Sequence, residues 1–116
     1  MIGTFLARAG GAAFCAIGVA GLFAPEALGR NYGVPATSTE ARAYVRATAA
    51  RDLILGLLVL DFAAHKNRRA LALTLAVSTL AAAVDGANAA GTPNVAIHAG
   101  GAAGLLVAAA FVAAGR

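Results

Sequence analysis

Six side chains in this sequence could do chemistry together if the fold gathered them: Arg46, Arg51, Asp52, Asp85, Asn88 and His98. Carboxylates and an imidazole are the groups that general acid–base catalysis uses near neutral pH, and a guanidinium can hold the negative charge that such a reaction develops. On this reading Asp52, Asp85 and His98 are the candidate catalytic groups, and Arg46, Arg51 and Asn88 bind the ligand. A histidine beside a carboxylate can also carry protons. Other chemistries lack their residues. The sequence has no P-loop, no GxGxxG and no GxSxG nucleophile elbow. His65 and His98 fall toward opposite ends of their segments, and there is no HExxH or cysteine cluster, so neither a metal nor another cofactor is expected. Cys15 is the single cysteine, which excludes an internal disulfide and a CxxC pair and leaves it a small buried hydrophobe.

The elements that must position these groups are hydrophobic. Of 116 residues 60% are hydrophobic and 12% charged, with a mean hydropathy of +0.79. A soluble domain carries about 25% charged residues, so this chain cannot build an ordinary water-facing surface. It reads as an integral membrane protein whose first partner is the lipid bilayer. The net charge of +4 does not indicate nucleic acid, because the basic residues form no exposed face interleaved with aromatics. His65, Lys66, Arg68 and Arg69 lie instead between two apolar runs, where cytoplasmic loops of membrane proteins collect positive charge.

Four apolar segments, at about 2–24, 38–64, 70–90 and 95–114, predict an all-α, four-transmembrane-helix bundle in a single domain over 1–116. Arg8 ahead of an apolar run has the outline of a signal peptide, but three further apolar segments favour a spanning helix. Pro25 ends the first segment, and residues 25–39 form the longest non-helical stretch. Thr37 followed by Glu40 matches a capping box, so the second helix starts near Ser38. Residues 65–69 make a polar hairpin loop and 91–94 a tight turn. An even number of spans places both termini on one side, with the basic 65–69 loop, and that side is cytoplasmic. Gly3, Ala7, Gly11 and Cys15 recur every four residues, as do Ala96, Gly100, Gly104 and Ala108. Such stripes let membrane helices approach closely.

An ionisable side chain inside a bilayer costs roughly 2.5–3.5 kcal/mol on insertion scales, so it faces the protein interior and finds a partner there. Counting about 1.5 Å per residue from each segment's midpoint puts Arg46, Asp85 and His98 on the outer side, with Arg51 and Asp52 near the midplane. Arg8 and Asp61 lie toward the cytoplasmic side and are expected to form a structural ion pair. Asp85 and Asn88, three apart, share a helix face. Arg51 and Asp52 leave their helix about 100° apart, and Arg46 and Arg51 about 140° apart, so these charges are expected to look toward different neighbours.

Arg8 with Gly10-Gly11, then Gly18, and Phe23-Ala24-Pro25 at the close of the first segment form one set of marks. The stretch from Arg46 to Asp52 (RATAARD) followed by Gly56 forms a second, and Asp85-Gly86 a third. On these residues the chain resembles the DoxX-like group of small four-helix membrane proteins, including bacterial and fungal relatives of unknown function. The resemblance implies a four-helix membrane fold. It implies little about activity, although some DoxX-type proteins are accessory subunits of thiol or quinone redox systems.

Three functions fit these observations. The first is a small membrane protein whose outer polar pocket binds a hydrophobic or amphiphilic small molecule, or which acts as an accessory subunit of a larger membrane complex. The second is a cofactor-independent membrane enzyme of isomerase, cyclase or hydratase type, working by Asp/His acid–base chemistry on a hydrophobic substrate. The third is a dimeric, proton-coupled transporter.

Overall fold

The computed structural model describes all 116 residues, which form five helices and no strand. Helix α1 spans Ile2–Phe23, α2 Pro25–Asn31, α3 Thr39–Ala64, α4 Arg68–Asn88 and α5 Val95–Ala114. The additional element is α2, within the stretch expected to be non-helical. Its sequence explains it. Pro25 occupies the first turn, where a missing N–H costs nothing, Glu26 sits at the positive end of the helix dipole and Arg30 at the negative end. Ser38 rather than Thr37 caps α3: its Oγ accepts from the Ala41 amide at 3.1 Å.

Helices α1, α4 and α5 are long and apolar enough to cross a membrane. Helix α3 is the longest, at 26 residues, and carries the chain's concentration of charge. Many large apolar side chains face outward, among them Phe5, Phe23, Leu73, Leu80 and Ile97. Apolar surface of this extent suits lipid better than water. The long dimension is 45 Å, comparable to a bilayer with its headgroup layers at about 40–45 Å.

The two ends of the bundle are tied differently. At one end the termini meet: the Gly3 amide donates to the Arg116 carbonyl at 3.1 Å. Arg68, at the start of α4, donates to the Val112 and Ala113 carbonyls at 3.1 and 3.2 Å and so caps the C-terminus of α5. At the other end α2 folds across the 89–94 turn. Asn94 Nδ2 donates to the Arg30 carbonyl at 3.2 Å, and Gly33, at φ +73°, lies against Asn88, Ala89 and Thr92.

The core follows this division. Near the termini, Ala7, Val59, Ala63, Leu71, Leu75, Leu105, Ala108 and Val112 pack together from the four long helices. Near the α2 end, Leu28, Tyr32, Ala36, Val45 and Ala49 form a second cluster. Between α1 and α3 the contact is made through glycine. A Cβ on Gly18 would lie 2.6 Å from the Leu53 amide, and one on Gly56 would lie 2.7 Å from the Cys15 amide. The first small-residue stripe thus serves as expected, with Gly3, Ala7 and Gly11 buried and Cys15 half-buried against Gly56. The second stripe does not. Ala96, Gly100 and Gly104 are exposed, and nothing lies within 4 Å of a Cβ built on either glycine.

Candidate functional site

The site begins with Arg51. Its Nη2 donates to Asp52 Oδ1 at 2.7 Å and to Asp85 Oδ2 at 2.8 Å, and its Nε reaches Asp52 Oδ1 at 3.0 Å. One guanidinium therefore joins α3 to α4 through two carboxylates. The 100° between Arg51 and Asp52 does not separate them, because the long arginine stem folds back over its neighbour. Both carboxylates are buried, while the Arg51 side chain stays 35% exposed. Buried carboxylates are tolerated when their lone pairs are filled by charged donors; Arg51 serves one oxygen of each closely and reaches Asp85 Oδ1 only at 3.5 Å.

A residue with no assigned role in the sequence completes the arrangement. Tyr32, capping the end of α2, donates its hydroxyl to Asp52 Oδ2 at 2.6 Å. Burial, then the adjoining Asp52 carboxylate, raises the phenol well above its ordinary value of 10.0, so Tyr32 stays a donor. The Tyr32 ring packs against the His98 ring with centroids 5.4 Å apart. His98 Nε2 lies 2.8 Å from the Asn31 carbonyl oxygen. A carbonyl only accepts, so this nitrogen carries a proton, and in the neutral ring Nδ1 is left as an acceptor.

These groups close one end of a cavity of about 490 Å³. Its long walls are Leu6, Gly10, Phe14 and Ile17 from α1 and Ile97, Gly101, Gly104 and Leu105 from α5. Its polar end is Asn31, Tyr32, Asp52, Asp85, Asn94 and His98. Arg51 does not line it, so the guanidinium bridges the carboxylates from outside the cavity wall. An apolar cleft with a few converging polar groups, in the range of about 300–1,000 Å³, has the form of a small-molecule site.

The predicted residues divide accordingly. Asp52, Asp85 and His98 come together on one cavity, with Arg51 behind the carboxylates. Arg46 turns away and donates to the Leu22 carbonyl at 3.3 Å, as the angle between it and Arg51 requires. Asn88 is exposed at the end of α4 and does not line the cavity. Arg8 and Asp61 do not form the expected pair. Asp61 instead meets His65 one turn along its own helix at 3.2 Å, and Arg8 is exposed. Both side chains are exposed, so no interior partner is required of either. Tyr32, Asn31 and Asn94 escaped the sequence reading because they lie in connecting segments. Their one signal was an Asn-Tyr-Gly turn placing an aromatic hydroxyl on the outer loop.

A family model described as "Domain of unknown function (DUF4267)" matches residues 11–112. No curated protein and no solved structure matches the chain.

Proposed function

We propose a function from the site itself, because the chain belongs to the DUF4267 family, a domain of unknown function. The protein is a small integral membrane protein in which α3 crosses the bilayer with the three apolar helices, both termini and the 65–69 loop being cytoplasmic. It binds a small amphiphilic or lipid-like molecule in the cleft between α1 and α5. The observation that carries this reading is the cavity of about 490 Å³ with apolar walls and a polar end. Apolar walls hold a hydrocarbon body, and Asn31, Tyr32, Asp85 and His98 hold its head. Kinship with the DoxX-like proteins belongs to the same proposal, since RATAARD and Asp85-Gly86 are the stretches that carry the Arg51 bridge.

The test is native mass spectrometry of the protein released from lipid nanodiscs made with a membrane extract, beside a Gly104→Leu variant. Gly104 lines the cleft and a Cβ built on it meets nothing within 4 Å, so a leucine there has room to occupy part of the cleft. The expected result is a retained small molecule that the variant loses. An identical set of adducts on both proteins sinks the proposal.

A second reading rests on one observation: Asp52, Asp85 and His98 all line the same cavity. In that reading the bound amphiphile is a substrate and the three residues exchange protons with it. Turnover of a bound molecule by the unsubstituted protein that stops in both Asp85→Asn and His98→Gln, even at ligand concentrations that saturate each variant, separates the enzyme from the binding protein.

A further inference from the structure

We infer that the cleft takes a lipophilic cation: a hydrocarbon body with one protonated amine as its head. The inference rests on the amphiphile-binding reading and names the head group.

The first ground is charge. Asp52 and Asp85 share the single guanidinium of Arg51, and no lysine or arginine lines the cavity. One negative charge is left over at the polar end. At this depth in a low-dielectric bundle an uncompensated charge is costly. A cationic head supplies the missing partner, and an anionic head would add a second uncompensated charge.

The second ground is the direction of the hydrogen bonds. Three donors at the polar end are committed: the Tyr32 hydroxyl to Asp52, the His98 Nε2 proton to the Asn31 carbonyl and the Asn94 amide to the Arg30 carbonyl, while the Asn31 side-chain amide makes no such bond. What remains is mostly acceptor. Asp85 Oδ1 receives Arg51 Nη1 only at 3.5 Å, and His98 Nδ1 has no partner. An ammonium group is all donors and no acceptor, which suits this set. The Tyr32 ring adds an aromatic face that attracts a cation.

The third ground is shape. Gly101 and Gly104 leave a side-chain-free stretch of the α5 wall between Ile97 and Leu105. An unbranched chain can lie there with its head at Asp85.

The experiment uses the full chain in phosphatidylcholine nanodiscs. Equilibrium binding of radiolabelled dodecylamine, dodecanol and dodecanoate is measured against empty nanodiscs, which subtracts partition into lipid. The expected result is saturable binding of dodecylamine near one per chain, at least tenfold tighter than dodecanol, with no saturable binding of dodecanoate. Asp85→Asn is expected to bring dodecylamine down to the dodecanol level, and Gly104→Leu to abolish both. Equal binding of all three probes, or a preference for dodecanoate, overturns the inference. The order of the three heads on the unsubstituted protein decides it even if Asp85→Asn fails to fold. Should dodecanol bind saturably, be lost in Gly104→Leu and match the amine, the head-group assignment falls and the amphiphile site stands. Should Gly104→Leu change none of the three, both fall.

Discussion

Beyond Gly3, which closes on the Val112 amide at the terminal end of α5, helix α1 meets α3 and α5 in opposite ways. Toward α3 it presents Gly11 and Gly18, and α3 answers with Gly56 and Ala49, so the two backbones touch and no space is left. Toward α5 it presents Leu6, Phe14 and Ile17, while α5 offers Gly101 and Gly104, and a cleft opens between them. Glycine therefore does two different things on the two sides of one helix. On both helices of a seam it lets the backbones close. On one helix opposite large side chains it leaves room for something else. Small residues stand in both places; what faces them decides the result.

The largest effect should come from the closed seam. Gly56→Leu drives a side chain into the Cys15 amide and the Gly11 carbonyl, both 2.7 Å from the first added carbon. Overpacking of a core costs about 1–3 kcal/mol and more when backbone must move, so loss of monodisperse protein on size-exclusion chromatography is expected. If Gly56→Leu folds normally, the seam is not the contact described. Next is the Arg51 bridge. Asp52→Ala removes the acceptor of Tyr32 and one of the two carboxylates that hold Arg51, and a drop of about 2–3 kcal/mol in unfolding free energy is expected. This is below the full cost of a broken buried ion pair because Arg51 keeps access to its surroundings. Helical circular dichroism on heating measures it.

Tyr32→Phe should cost about 1–2 kcal/mol, the worth of one hydrogen bond to a carboxylate. The pH dependence carries the same signature. The phenol is held above 10.0 in the folded chain, so above that value the unfolded chain ionises while the folded chain does not. Stability supplied by Tyr32 is complete below pH 10.0 and declines as the pH rises further, and Tyr32→Phe should remove that alkaline loss. The smallest effect is on the open side. Gly104→Ala should leave stability unchanged or raise it by up to about 1 kcal/mol through helix propensity. A destabilisation there would mean that α5 packs against something at Gly104 and that the cleft is closed.

Much of the architecture was legible in the residues. The apolar lengths and the capping signal near Ser38 placed the long helices, because these depend on local chemistry alone. The gathering of Asp52, Asp85 and His98 was legible from depth, because counting along a helix gives height in a bundle. Rotation and reach were less so. Arg46 looked like a member of the group and turned out to bind the Leu22 carbonyl, while Arg51 folded back onto the residue beside it. Arg8 and Asp61 share a level and still do not meet.

By itself the sequence determined that this is an all-helical, lipid-suited chain with charges placed along one long helix. Composition and periodicity decide those properties one segment at a time. Only the tertiary structure decided that Tyr32 from a connecting segment would cap Asp52, and that glycines of α1 and α3 would close a seam while Gly101 and Gly104 of α5 would line a cleft. Those outcomes depend on which faces of different helices are turned toward each other. That is a property of pairs of segments, and no single segment carries it.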